Sequence, residues 1–348
     1  MVRKRITKVI ACITLVCMLV ISGCANNSQV KDDTSTKAYK ESESTTDVVQ
    51  NESVSKDNPT EGTTEATKAP ATEAATPGAT QTPTKPATGE IKTLTVEGKY
   101  TVYDPDNVRG LSTKGSGWGY GYAKGGKPHQ ISINNQARFD NLKSKGIQAL
   151  ALDTKSEGKV LYLTFDCGYE YNNNTPKILD VLKTKNVKAA FFCTKPFVTG
   201  YGNVVQRMIN EGHVVGNHST THPVFTKITR TQMAEELWGV SSILKSKYNY
   251  DCKYFRFPTG ENSESSLELV TSQGYKSVFW SIAHVDWDTA NQPTEEKALA
   301  TVTERLHPGA VILLHTVSNT NVAILDDFID AAQAQGYTFV TLDDYKWN

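Results

Sequence analysis

Val160-Leu161-Tyr162-Leu163-Thr164-Phe165-Asp166-Cys167-Gly168 is an apolar run that closes on a carboxylate. A short apolar run stopped by a turn residue reads as a strand buried on both faces. Asp166 could cap a turn before Gly168, but a carboxylate ending such a run is better explained by chemistry. With 160–166 as the first strand, six more apolar runs follow at 188–193, 213–217, 253–257, 276–281, 310–314 and 338–342. Between them, 176–185, 203–210, 231–247, 265–273, 295–306 and 322–335 show helical spacing. Thr175-Pro176 predicts a helix start, with a capping hydroxyl before a first-turn proline. Gly212, Gly274 and Gly336 each follow a helix where a left-handed stop is wanted. Strands alternating with helices predict a parallel α/β sheet, and seven strands suit a barrel better than an open sheet.

About fifty residues after Asp166 comes His218-Ser219-Thr220-Thr221-His222. Imidazoles at i and i+4 can converge on one ion if the segment coils, and an acid at a strand end could take a proton from water on that ion. Three further segments follow: Arg256-Phe257-Pro258-Thr259-Gly260, Asp286-Trp287 and Leu313-Leu314-His315. Each has a plain structural alternative. Arg256 could brace a loop, Asp286 could be a surface charge, His222 a solvated turn residue before Pro223, and His315 a satisfied core histidine. Yet Asp166, Cys167, His218, Arg256, Asp286 and His315 all fall at or just past expected strand C-termini. That is the face where α/β barrels gather their chemistry.

In order and spacing these five motifs resemble the set carried by the polysaccharide deacetylases, the NodB-homology enzymes of carbohydrate esterase family 4. The resemblance covers roughly the last half of the chain and implies a distorted (β/α)7 barrel, with an N-terminal extension before it. It also implies a divalent metal, zinc first among them. In these terms Asp166 looks like the general base and His315 like the general acid. His218 and His222 look like metal ligands, and Arg256 like the residue that holds the base by a bidentate pair. Asp286 resembles the partner that raises the basicity of His315. The Thr259 N–H resembles the oxyanion donor, with Trp287 and Leu313 lining the acetyl pocket.

Two positions depart from the family pattern. Cys167 stands where most members carry a second, metal-binding aspartate, and Ala283 stands at the first acidic position of the fourth motif. Cys167 leaves two readings open: a thiolate that joins the two histidines on zinc, or a buried neutral thiol beside a two-histidine site. A Cys167–Cys193 disulfide would remove the first. These departures, with Gly168-Tyr169-Glu170 and Trp280-Ser281-Ile282-Ala283, resemble the branch that removes acetyl from N-acetylmuramic acid in peptidoglycan, the precursor of the spore cortex δ-lactam. The alternatives are a peptidoglycan or chitin-type N-acetylglucosamine deacetylase, an acetylxylan-type esterase, and a protein that binds wall glycan without cleaving it.

The first part of the chain reads differently. Arg3, Lys4, Arg5 and Lys8 precede an apolar stretch over 9–21 that ends in Ile21-Ser22-Gly23-Cys24. This predicts a signal peptide over 1–23 and resembles a lipobox, with Cys24 carrying the lipid; an uncleaved signal anchor is the alternative. Either way the chain is expected outside the cytoplasm, held at the cell membrane. Residues 24–93 are rich in Thr, Ser, Ala, Glu and Pro and read as a disordered tether. As a coil the tether would span about 45 Å. Residues 94–158 form the extension of the catalytic domain, and 159–348 the deacetylase domain itself. Within the extension, the Gly-Trp-Gly-Tyr-Gly-Tyr run at 117–122 reads as a hydrophobic strap, with sugar stacking as the alternative, and 130–145 as a weak helix. Lys plus Arg equals Asp plus Glu at 37 each, so no basic face argues for nucleic acid, and a monomer is expected. Cys167, Cys193 and Cys252 remain after the leader, too few and odd in number for a disulfide framework.

Overall fold

The computed structural model describes residues 89–347; the leader, Cys24 and the tether as far as residue 88 lie outside them. The described chain opens with a hairpin, β1 (Thr93–Val96) and β2 (Tyr100–Tyr103), followed by α1 (Gln130–Leu142) and the two-residue strand β3 (Ala149–Leu150). Then strands and helices alternate: β4 (Val160–Cys167), α2 (Asn174–Thr184), β5 (Ala190–Cys193), α3 (Lys195–Gly200), α4 (Gly202–Asn210) and β6 (Val214–Asn217). They continue through α5 (Arg230–Tyr248), β7 (Tyr254–Phe255), α6 (Glu264–Ser272), β8 (Lys276–Val278), α7 (Glu295–Glu304), β9 (Ala310–His315), α8 (Asn319–Ala334) and β10 (Thr338–Val340).

Apart from the hairpin, the strands form one parallel sheet in the order β10-β4-β5-β6-β7-β8-β3, with β9 beside β4. The curl closes where Ile282 pairs with Ile312 and Leu152 with Ala310, bringing β9 to the far edge as well. The distorted barrel expected from the sequence is therefore the fold, with one change of membership. β3 pairs with β8 inside the sheet although it lies in the stretch read as an extension.

Strand alternation sorts β4 cleanly. Leu161, Leu163, Phe165 and Cys167 face outward into the apolar layer under the helices, with Ile178, Leu179 and Phe328. Tyr162 faces inward with Leu150, Phe192 and Val311. Thr164 and Asp166 continue this inward face toward the C-terminal mouth. A third apolar layer joins the extension to the barrel, with Val102, Phe139 and Ile147 against Phe255, Phe257 and Phe279.

The aromatic run at 117–122 crosses this layer. Trp118 stacks on Phe279 and Phe139 at 4.3 and 5.8 Å, and its Nε1–H donates to the Trp280 carbonyl at 3.2 Å. The Tyr120 hydroxyl donates to the Ala283 carbonyl at 3.1 Å. These two rings act as a strap. Tyr122 does not: it is 55% exposed, with the Arg305 guanidinium 3.9 Å from its ring centre.

The start of α2 also differs from expectation. The helix begins at Asn174 after a left-handed Asn173, so Thr175 lies inside it. Its amide instead donates to Glu170 Oε1 at 3.1 Å, a carboxylate that satisfies the orphan N–H from five residues upstream. Gly212, Gly274 and Gly336 take left-handed φ values of 78°, 85° and 82°, as expected.

Gly309, just before β9, is the tightest backbone contact. Its φ is +73°, and a Cβ there would lie 1.9 Å from the Asp153 carbonyl oxygen. Gly309→Ala is expected to cost about 2 kcal/mol or more in urea unfolding, because the left-handed backbone and the closure against Asp153 are lost together.

Candidate active site

Parallel register builds the site. Asp166 pairs with His315 across β4 and β9. Cys193 pairs with Asn217, and Asn217 with Phe255. The next residues, His218 and Arg256, therefore leave their strands within a step or two of the Asp166 level.

Arg256 is wholly buried, an unusual place for a guanidinium. Its Nη1 donates to Asp166 Oδ1 at 2.8 Å, its Nη2 to Thr164 Oγ1 at 2.8 Å, and its Nε to the Val278 carbonyl at 3.1 Å. The plane also stacks on Phe192 at 4.2 Å. The bidentate pair expected from the resemblance is thus a single-armed one, since the second arm is taken by Thr164. Asp166 Oδ2 is left facing His218 Nε2 at 3.4 Å. Burial alone would raise the Asp166 pKa, but the Arg256 charge, helped by His218 and His315, outweighs it and holds the carboxyl below its ordinary value.

His218 Nδ1 lies 2.9 Å from the Arg256 carbonyl oxygen. A carbonyl only accepts, so the proton is assigned to Nδ1 and the Nε2 lone pair points into the mouth. Burial pushes the His218 pKa down, which keeps the ring neutral. The segment to His222 does not coil into a helix. Ser219 and His222 both take left-handed backbone (φ 71° and 59°), and the His222 amide donates to Ser219 Oγ at 3.0 Å. This turn sets the two imidazoles 4.9 Å apart at 76°.

Cys167 is not brought to the histidines. It lies on the outward face of β4, wholly buried, with its thiol against Cys193, and burial pushes its pKa well above the ordinary value. Cys167, Cys193 and Cys252 are all free thiols. Among the described residues no three His, Cys, Asp or Glu side chains close into a cage. The two imidazoles, with the Asp166 carboxylate behind His218, offer nitrogen and oxygen donors. They fit a divalent ion as an open site.

Across the mouth, His315 Nδ1 bonds Asp286 Oδ1 at 2.7 Å, and its backbone N–H donates to Asp286 Oδ2 at 2.8 Å. Burial alone would lower the His315 pKa, but Asp286 outweighs it and the net shift is upward. Two residues missed in the sequence complete this side. Asn321 donates to Asp286 Oδ2 at 2.6 Å, and its own Oδ1 lies 3.0 Å from His284 Nε2. Nothing in one sequence marks an asparagine in the first turn of α8 as a partner. Trp287 is 52% exposed, its ring centre 6.0 Å from His315. Leu313 is buried two residues before His315 on the same inward-facing side of β9. Thr259 sits on the rim with φ +58°, a strained backbone for a β-branched residue. The next residue, Gly260, presses against Trp118 and Trp280, where a Cβ would come within 2.6 and 2.9 Å.

The peptidoglycan-N-acetylmuramic acid deacetylase PdaA of Bacillus subtilis is 46% identical to this chain over 187 residues, 53% of this chain and 71% of that protein. The chain belongs to the polysaccharide deacetylase family. The sequence pattern of that family, Polysaccharide deacetylase, matches residues 153–278. A peptidoglycan-N-acetylglucosamine deacetylase of Bacillus cereus is 37% identical over 184 residues, 52% of this chain and 66% of that protein. The structure of the Bacillus subtilis PdaA, a family 4 carbohydrate esterase, superimposes with a TM-score of 0.63 at 37% identity, covering 67% of this chain and 97% of that one.

In this deacetylase, replacing Asp286 should be visible at His315. Asp286→Asn removes the charge that raises the imidazole pKa while burial remains. The His315 titration followed by NMR should move to lower pH, so the ring is already neutral where the parent ring is still protonated.

Proposed function

We propose that the chain is a metal-assisted hydrolase that removes the acetyl group from N-acetylmuramic acid residues of peptidoglycan. What carries this reading is the convergence of Asp166, the His218–His222 pair and the Asp286–His315 dyad on one barrel mouth. Likeness to the muramic acid deacetylase at 46% identity, against 37% for the glucosamine enzyme, supports that sugar. His218 and His222 would hold the ion, zinc by preference, which when bound polarises the acetyl carbonyl and the attacking water.

The chain's own residues divide the remaining work. Asp166, kept ionised by Arg256, accepts the proton of the attacking water. Water oxygen bonds to the acetyl carbon, and the Thr259 N–H helps hold the resulting oxyanion. His315, kept protonated by Asp286, gives its proton to the amide nitrogen as the C–N bond breaks. Acetate and a free amine result. Trp287 and Leu313 would wall the acetyl pocket, and Cys167 stays a neutral core thiol. Its substrate lies outside the cytoplasm, which agrees with export and a lipid anchor at Cys24.

The test is to incubate the metal-supplied protein with defined glycan strands and map free amines by mass spectrometry. Free muramic amines are expected. Amines on glucosamine alone would move the substrate to the neighbouring sugar, and no acetate from any wall glycan would reject the hydrolase. Asp166→Asn should lower the rate by about 10²- to 10⁴-fold with glycan binding retained.

A further inference from the structure

The turn carrying the histidine pair holds two non-glycine residues in left-handed backbone, Ser219 and His222. Such a conformation persists only where its surroundings impose it. Asn217 Oδ1 accepts from the Ser219 amide at 2.8 Å and Ser219 Oγ from that of His222, and the two residues between them are held by one side chain of α5. Glu236 Oε2 accepts from the amides of Thr220 and Thr221 at 2.8 and 2.7 Å, and its Oε1 from the Thr221 hydroxyl at 2.7 Å. Thr220 Oγ1 donates to the Glu236 carbonyl at 2.9 Å, so the turn is bound to the helix backbone too. The approach is close enough to require Gly239, where a Cβ would lie 2.1 Å from Thr220 Oγ1. The platform is firm. A Thr229–Gln232 capping box starts α5, and its buried Arg230 donates to the Ser265 and Asp104 carbonyls and pairs with Glu268.

We propose that Glu236 is a positioning residue for metal capture, fixing the turn between His218 and His222 so that both imidazoles meet one divalent ion. This rests on the reading of that pair as the metal ligands. Glu236 touches neither the ion nor the substrate; it acts by holding the two amides between the histidines. A carboxylate accepting from two adjacent amides closes the turn as a backbone partner would. Without it, the Thr220 and Thr221 amides turn to water and the ring of His222 is no longer held opposite His218.

The experiment is calorimetric titration of zinc into metal-free protein, for the parent chain, Glu236→Ala, Glu236→Gln and Glu236→Asp. Outer partners of metal ligands are worth about 10- to 100-fold in affinity, and that loss is expected for Glu236→Ala. Glu236→Gln keeps an oxygen for both amides and should bind within about threefold of the parent, by the same reasoning. Glu236→Asp keeps the charge but stops one methylene short; it should lose affinity as alanine does, and serves where alanine does not fold. Unchanged affinity in Glu236→Ala or Glu236→Asp overturns the proposal. So does a glutamine variant as weak as alanine, which would assign the effect to charge. A parent protein that takes up no zinc overturns the metal reading itself, and this proposal with it.

Discussion

The buried pair of Arg256 and Asp166 is the interaction on which the site's architecture depends. A guanidinium with no solvent contact is tolerable only if its donors are all placed, and here they reach Asp166, Thr164 and the Val278 and Phe279 carbonyls. Those acceptors come from β4 and from the chain leaving β8, so Arg256, leaving β7, ties three strands across the barrel interior. Losing one member of such a pair leaves the other charge buried and alone, at a cost of about 3–5 kcal/mol. The same contact that closes the upper barrel also favours the ionised form of Asp166. Structure and chemistry are joined at this point.

The two sides of the mouth are pushed in opposite directions. Arg256 lowers the Asp166 pKa, and Asp286 raises that of His315. Each also acts on the other, since His315 favours the Asp166 carboxylate and Asp166 favours the His315 imidazolium. An ionised acid and a protonated imidazole are therefore one self-consistent state. Titratable groups driven apart in this way are what acid–base chemistry at one site requires, and the proposed roles of Asp166 and His315 rest on it. The extension contributes from outside: its Tyr120 donates to the Ala283 carbonyl, three residues before Asp286, beside a second donor, Arg305, from the end of α7.

Much of this was legible in the sequence because it is written in short-range patterns. The apolar runs of β4 and β9 and the motif residues at their ends placed Asp166 and His315 before any coordinates. What stayed hidden is short or non-local. β3 and β7 have two residues each, too few for a period to show, and α3 has six. Asn321 and Thr164 matter through partners 35 and 92 residues away in sequence, which local spacing cannot reveal. Thr175 looked like a cap because Thr-Pro is a local signal, while the acceptor used, Glu170, lies in the preceding loop. Glu236, mid-helix, reads as an ordinary solvated charge.

Cys167 shows how one substitution reshapes what its neighbours must do. Strand alternation keeps it on the outward face for as long as β4 stays regular, and β4 is regular to its last residue. A thiol there is desolvated, neutral and set against Cys193, so it brings no charge to the mouth. On the proposed metal reading, a divalent ion would have two imidazoles and whatever Asp166 and solvent supply. With fewer ligands, each must be placed better, since no third side chain corrects an imidazole that points astray. On that reading, such a constraint would account for a strained turn being retained between His218 and His222, with a capped, well-anchored helix behind it.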